Sequence, residues 1–101
     1  MNLRVLAPAE VELAEGALWY EDRKRGLGEE LIDEYQDAIL RILAGPRSCS
    51  RLETTRSRRE IRRCFLKRFP YYVAYEIRDG EIVVLAVAHA KRRPNYFLRR
   101  R

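Results

Sequence analysis

The sequence contains few of the residues that build metal sites and disulfide frameworks. Among its 101 residues there are two cysteines and one histidine. Cys49 and Cys64 lack the close spacing of zinc ligands, and no acidic cluster accompanies His89. We therefore expect neither a metal nor another cofactor, and we expect both thiols to be free, as is usual in the cytoplasm.

Long apolar segments are also absent. No run approaches the roughly 18 apolar residues of a membrane-spanning helix, and no basic segment followed by an apolar one marks a signal peptide. The hydrophobic content of 47% is sufficient for one modest core. These features predict a cytoplasmic protein with no membrane partner, folded as one domain over residues 1–101.

What the sequence has in excess is positive charge, and that charge is unevenly distributed. Residues 1–37 carry ten acidic and four basic side chains, whereas residues 38–101 carry five acidic and seventeen basic ones. Such segregation favours a second half that meets a polyanion or an acidic partner. The alternative is that the cationic side chains simply solvate strands and loops.

The hydrophobic pattern predicts an α+β fold with the element order β-α-α-β-β-β. Residues 2–7 alternate like a strand, and two helical stripes follow, the first over residues 8–24 and the second ending at Ala44. The short connection between them, GLG, implies an antiparallel helical hairpin. Further strands are expected over 60–67, 71–78 and 81–89, with a loop over 47–59 and a short terminal helix or turn from Pro94.

The Asp79-Gly80 dipeptide predicts a two-residue hairpin turn between the last two strands. The register that it imposes places Tyr71 opposite Ala88 and divides the hairpin into two faces. One face is the expected floor for the helical hairpin. The other carries His89 and three apolar residues that a monomer would not leave exposed, so we expect a partner to cover Val83, Leu85 and Val87.

Basic and aromatic side chains accompany this second face. Guanidinium groups suit phosphate oxygens and aromatic rings suit unstacked bases, while a histidine or tyrosine can move a proton during phosphodiester cleavage. In the alternative interpretation the tyrosines are packing residues, the histidine is structural, and Arg99–Arg101 form a frayed, solvated tail. The candidates are Arg63, Lys67, Tyr72, His89, Arg92, Arg93 and Tyr96.

A family resemblance rests on four segments that cover nearly the whole chain: PAEVELAEGALWYED, GLGEELIDEYQDAILRILAGP, IRRCFLKRFPYYVAYEI and IVVLAVAHAKRRPNYF. Together they resemble the RelE/ParE superfamily of toxins from bacterial type II toxin–antitoxin systems. The most specific part is the pair RFPYYVAYEI and VLAVAHAKRRPNYF. The resemblance implies a helical hairpin packed on an antiparallel sheet, a growth-inhibiting activity, and a cognate antitoxin that wraps and neutralises the toxin.

The superfamily contains two mechanisms. RelE-type members are ribosome-dependent mRNA endoribonucleases, and if this chain were one, its metal-independent catalytic candidates would be Lys67, Arg93, Tyr96 and His89. ParE-type members poison DNA gyrase and lack a comparable catalytic set. The long helical hairpin and the FPY…VLAVAH pattern lean to the ParE type. A non-toxic basic binding module is a third interpretation.

The basic side chains are the expected contacts to partners. Arg62, Arg63 and Arg92 are the predicted contacts to nucleic acid or another target. Acidic residues of the antitoxin are expected to meet Arg62, Arg63 and the C-terminal cations, and operator DNA would be bound only through the antitoxin. Toxicity is expected to depend on Arg92, Arg93 and Tyr96, and little on Arg99–Arg101.

Overall fold

The computed structural model describes residues 1–53 and 58–101 as two helices packed on a five-stranded sheet. The predicted α+β class and element order are confirmed, except that a two-residue strand lies in the segment predicted to be a loop. Within the described ranges, neither helix is long and apolar enough to cross a membrane. In chain order the elements are β1 (Asn2–Val5), α1 (Ala7–Arg23), α2 (Leu27–Ala44), β2 (Ser50–Arg51), β3 (Glu60–Phe65), β4 (Tyr71–Arg78) and β5 (Glu81–His89).

The strands lie in the order β1-β5-β4-β3-β2. The pairs β5-β4 and β4-β3 are antiparallel, as predicted, and the additional pair β3-β2 is antiparallel as well. Strand β1 runs parallel to β5, so the sheet is mixed. A parallel pair needs a long crossover connection. Here that connection consists of both helices and three strands. The interior strands β4 and β5 are buried over most of their length.

The helical hairpin is held together by a close backbone approach at Gly28. A Cβ atom at this position would lie 2.3 Å from the carbonyl oxygen of Ala17, so only glycine fits. Glu21, near the end of α1, accepts hydrogen bonds from the backbone N–H groups of Gly26 (2.9 Å) and Gly28 (3.1 Å). One carboxylate therefore satisfies two donors at the start of α2.

A β-bulge at Leu85 changes the register predicted from the Asp79-Gly80 turn. Near the turn the prediction is confirmed, with Tyr75 opposite Val84. Beyond the bulge Tyr71 pairs with His89, not with Ala88. The extra residue shifts the last part of β5 by one position. Val87 and His89 therefore lie on the helix-facing side of the sheet. The register predicted from the sequence had placed them on the opposite side.

The sheet separates two clusters of buried side chains. The larger cluster lies between the sheet and the helices and includes Leu31, Ile42 and Tyr75. The smaller cluster lies on the opposite side of the sheet and includes Phe97, from the segment that follows β5. Both faces of β4 and β5 are therefore covered, which explains why the sequences of these strands are almost continuously apolar.

Candidate functional site

The residues after β5, 90–101, are here called the C-terminal segment, and they fold back across the second face of the sheet. They form successive turns and no helix. Phe97 is fully buried, and Tyr96 and Leu98 pack at its sides against the smaller cluster. Val83 and Leu85 are fully buried there. The expectation that a partner is needed to cover Val83 and Leu85 was wrong, because the chain covers them with its own C-terminal segment.

Glu12 in α1 is the central acceptor of this region, and its side chain is only 9% exposed. Its carboxylate accepts hydrogen bonds from Arg92 Nη1 (3.1 Å) and Arg100 Nη1 (2.8 Å), and from the hydroxyl of Tyr96. The Arg92 guanidinium also stacks on the Tyr96 ring, 3.8 Å from its centroid. We call Glu12, Arg92, Tyr96 and Arg100 the Glu12 cluster.

The Glu12 cluster also completes the sheet where β1 ends. Strand β1 accompanies β5 only as far as Val84. Beyond that point the N–H of Val87 donates to Glu12 Oε1 (3.1 Å), and the carbonyl of Leu85 accepts from Arg100 Nη1 (3.0 Å). The Glu12–Arg100 ion pair thus takes the hydrogen bonds that a neighbouring strand would otherwise make with β5. This edge of β5 is buried, so its backbone groups need such partners.

A second contact holds the C-terminal segment from the other side. Glu76 in β4 is 3% exposed and pairs with Arg59 through two hydrogen bonds of 2.9 Å. Arg59 also donates to the carbonyl oxygens of Leu98 and Arg100. The prediction that Arg99–Arg101 form a frayed tail was therefore wrong for Arg100, whose side chain and carbonyl group are both engaged.

The predicted catalytic residues make separate contacts in the fold. Lys67 lies in the β3–β4 turn, where its backbone N–H donates to Glu34 of α2 (3.0 Å). Tyr96 is bound to Glu12 of α1, and Arg93 is exposed on the C-terminal segment. His89 accepts a hydrogen bond at Nδ1 from the N–H of Lys91 (3.0 Å) and packs edge-on against Tyr71. The histidine thus makes the contacts of a structural residue.

Tyr96 is poorly suited to act as a base at neutral pH. Burial, together with the hydrogen bond that its hydroxyl donates to Glu12, raises the pKa of Tyr96 well above its ordinary value of 10.0. The hydroxyl therefore stays protonated, and its proton already has an acceptor. Withdrawing a proton from a substrate would require the phenolate, which this environment disfavours.

The three predicted binding arginines have different surroundings. Arg62 is mostly buried and bound to Glu60 (3.0 Å) and to the carbonyl of Cys49 (2.7 Å), so it supports the loop before β3. Arg92 belongs to the Glu12 cluster. Arg63 does lie on the second face beside Phe65 and Tyr72, with its guanidinium about 5.5 Å from the Tyr72 ring centroid. Burial raises the pKa of that tyrosine, against the opposing effect of Arg63.

A cleft of about 450 Å³ opens between α1 and the end of the β4–β5 hairpin. Its lining includes Trp19, Tyr71 and His89, with Glu12 and Arg92 at one side. Trp19 is half exposed, and the Arg23 guanidinium stacks on it at 3.3 Å from the ring centroid. The cleft thus presents aromatic rings and charges of both signs, which suits contacts with another protein.

Several cations of the C-terminal segment are available to a partner. Lys91, Arg93 and Arg99 are exposed and form no ion pair with any residue that the structure describes. By contrast, Arg92 and Arg100 share the single carboxylate of Glu12. The accessible positive charge of the C-terminal segment therefore belongs mainly to these three side chains and to Arg101, which is also exposed.

Sequence reasoning missed the buried acids that organise the molecule. Glu12 and Glu34 lie on the buried stripes of their helices, Glu12 three residues after buried Ala9 and Glu34 three residues after buried Leu31. An acid in an apolar stripe requires a partner, so the signal was present. Arg59 had no comparable signal, because it lies outside the periodic segments.

Comparison with known proteins identifies a matching protein family. A family model described as "ParE toxin of type II toxin-antitoxin system, parDE" matches residues 3–94. Among solved structures, a chain described as "Chromosomal ParDE TA system from P. aeruginosa" is similar, with a TM-score of 0.67 and 17% identity. The similarity covers 90% of this chain and 97% of that one, and at such identity it shows the fold alone. Comparison with curated proteins gives no match.

Proposed function

This chain belongs to the ParE toxin family of type II toxin–antitoxin systems, and from that membership we propose that it stops growth by inhibiting DNA gyrase. The observation that favours inhibition over RNA cleavage is the state of Tyr96. Its hydroxyl is committed to Glu12, and its pKa is raised by burial and by that hydrogen bond. The other candidate nuclease residues make contacts within the fold: the backbone N–H of Lys67 donates to Glu34, and His89 accepts from the N–H of Lys91.

We further propose that the C-terminal segment provides the gyrase contact. The Glu12 cluster fixes the segment against α1, so the exposed cations Lys91 and Arg93 are presented from an ordered backbone. An ordered cation loses less conformational entropy on binding than one on a frayed tail. Operator DNA, by this proposal, is bound only through the antitoxin.

The antitoxin is proposed to carry an acidic segment that is disordered when free. The strongly basic second half of the chain offers it electrostatic attraction. Val83 and Leu85 can meet the antitoxin directly only if the C-terminal segment leaves the sheet, because Phe97 covers them. Val87 faces the helices and lines the cleft, so a side chain that enters the cleft can reach it.

The proposed target is tested with purified toxin in two assays. We expect the toxin to inhibit gyrase supercoiling and to accumulate cleaved DNA complexes, and we expect no codon-linked cutting of mRNA on translating ribosomes. Arg93→Ala should weaken gyrase inhibition about tenfold, as expected for the loss of one ordered charge contact. Arg25→Ala, at an exposed site between the helices, is the matched control and should retain inhibition.

Two outcomes would contradict the proposal. Ribosome-dependent mRNA cleavage without any effect on gyrase would assign the chain to the RelE-type mechanism, in which the surface at Arg63 and Phe65 would be the RNA contact. Normal growth of cells that express soluble toxin without antitoxin would instead indicate a non-toxic binding module.

A further inference from the structure

The two cysteines, which family membership does not explain, occupy facing positions where Cys49 directly precedes β2 and Cys64 lies in β3. In the β2–β3 pairing Ser50 lies opposite Arg63, and Arg51 lies opposite Arg62. One further step along the same antiparallel register brings Cys49 opposite Cys64. Both side chains belong to the cluster beneath the helices, and both thiols are free.

The hydrogen-bond pattern indicates which kind of facing pair this is. The N–H of Leu52 donates to the carbonyl of Ile61 at 2.7 Å, so Leu52 and Ile61 form a hydrogen-bonded pair. Pairs alternate along an antiparallel ladder, which makes Cys49 and Cys64 a non-hydrogen-bonded pair. In such pairs the Cα atoms are about 4.5 Å apart, within the range of roughly 4.4–6.8 Å that a disulfide spans.

Side-chain contacts agree with this arrangement. The Cys49 thiol interacts with both the Cys64 thiol and the hydroxyl of Tyr75, and Tyr75 is itself held by a hydrogen bond to the carbonyl of Pro46 (2.6 Å). Cys49 is half-buried, whereas Cys64 is 2% exposed. An oxidant can therefore reach only one thiol of the pair, and the second is positioned to react with the first.

We propose that Cys49 and Cys64 form an oxidation site at which a small-molecule disulfide converts the dithiol to an intramolecular disulfide. The Cys49 thiolate attacks one sulfur of the small-molecule disulfide, whose S–S bond breaks and releases one thiolate. The Cys64 thiolate then attacks Cys49 Sγ and releases the second. The two departing thiolates take up the two protons that the protein thiols lose, so one disulfide is reduced as one is formed.

The order of the two attacks follows from burial. Burial, with the neighbouring Cys49 thiol, raises the pKa of Cys64 to about 12, so Cys64 is a weak nucleophile toward reagents in solution. Once Cys49 carries the mixed disulfide, the attack by Cys64 is intramolecular and benefits from proximity. The first attack is therefore expected to come from Cys49, and the reaction is expected to be confined to this pair.

Oxidation would close a ring that begins at Cys49, passes through Arg59 and ends at Cys64. Arg59 holds the C-terminal segment through the carbonyl groups of Leu98 and Arg100. A disulfide that closes this ring reduces the conformational entropy of the unfolded chain. The oxidised protein should therefore resist urea better than the reduced protein.

The test uses the folded, reduced, full-length chain and oxidised glutathione, without denaturant. We expect a product that has lost two hydrogens, carries no glutathione, does not react with maleimide, and yields a linked Cys49–Cys64 peptide pair on digestion. Its urea midpoint should be higher than that of the reduced chain. Cys64→Ser should stop at one glutathione adduct on Cys49, and Cys49→Ser should stay unmodified while it remains folded.

Other outcomes would overturn the proposal. A wild-type chain that accumulates a stable glutathione adduct on Cys49 would show that Cys64 cannot reach it. Disulfide-linked dimers as the main product, or a chain that stays fully reduced in excess oxidised glutathione, would also exclude the site. If both serine variants are modified like the wild type, the reaction does not depend on the pair.

Discussion

Glu12 is a single carboxylate that serves three side chains and one backbone N–H. Arg92, Tyr96 and Arg100 reach it from the C-terminal segment, and Val87 reaches it from β5. It thereby joins the first helix to the last residues of the chain. A buried carboxylate with this many donors stabilises the fold only while all of its partners are present.

Replacing Glu12 with Gln tests this role at the scale of one residue. The amide keeps the shape but removes the charge and presents N–H groups where donors already point, so we expect a loss of about 2 kcal/mol in the free energy of unfolding. Urea unfolding measures it. Glu15→Gln, one turn further along α1 at an exposed position, should change stability by less than about 0.5 kcal/mol. Equal effects of the two variants would contradict the role assigned to Glu12.

At the scale of an element, the C-terminal segment behaves as part of the core. Phe97 is fully buried between Tyr72 and Tyr96, with ring centroids 6.2 and 5.4 Å away. The segment has no regular hydrogen-bond ladder of its own, so this side chain is its main apolar anchor. Without it the second face of the sheet would be exposed to water.

Phe97→Ala should therefore cost about 3–5 kcal/mol in the free energy of unfolding, as is usual when a buried phenylalanine is truncated. Chemical denaturation gives the value, and increased binding of a hydrophobic dye would report exposure of Val83 and Leu85. Arg99→Ala, two residues away and exposed, is the control and should be nearly neutral. A Phe97 variant as stable as the wild type would mean that the segment does not cover the sheet in solution.

The elements differed in how far the sequence could predict them. The pattern gave β4 and β5 with their observed bounds, because strong apolar runs flank a turn that has few alternatives. It could not reveal the bulge at Leu85, since an inserted residue leaves an apolar run unchanged. The path of the C-terminal segment was also out of reach, because it depends on the distant partners Glu12 and Arg59 and has no periodicity.

At the scale of the whole molecule, ion pairs connect elements that are distant in sequence. Glu34, Glu60 and Glu76 each have a pKa below the ordinary 4.5. Hydrogen bonds from Arg47 and Arg59 lower the pKa values of Glu60 and Glu76 respectively, in opposition to burial. For Glu34, burial raises the pKa, but Arg68 and the N–H of Lys67 together outweigh it.

These shifts predict how stability depends on pH. A carboxyl group whose pKa is lower in the folded chain contributes stability that is fully present above the unfolded value of about 4.5. That stability is lost as the pH falls through the lower folded value. We expect the urea midpoint to be nearly constant from pH 7 to 5 and to decrease below pH 4.5. Glu76→Gln should reduce the size of this decrease, whereas an acid-independent midpoint down to pH 3 would contradict the assignment.

The bulge in β5 has a consequence for the gene as well as for the fold. Leu85 and Ala86 occupy adjacent places on the same face of the sheet, where a regular strand has one residue. Losing one codon at either site would restore a regular ladder and leave Val87 and His89 facing the helices. Losing the codon for Ala88, beyond the bulge, would turn His89 to the opposite face. Loss of the codon for either Leu85 or Ala86 is thus a reading-frame-preserving deletion that leaves the lining of the cleft in place.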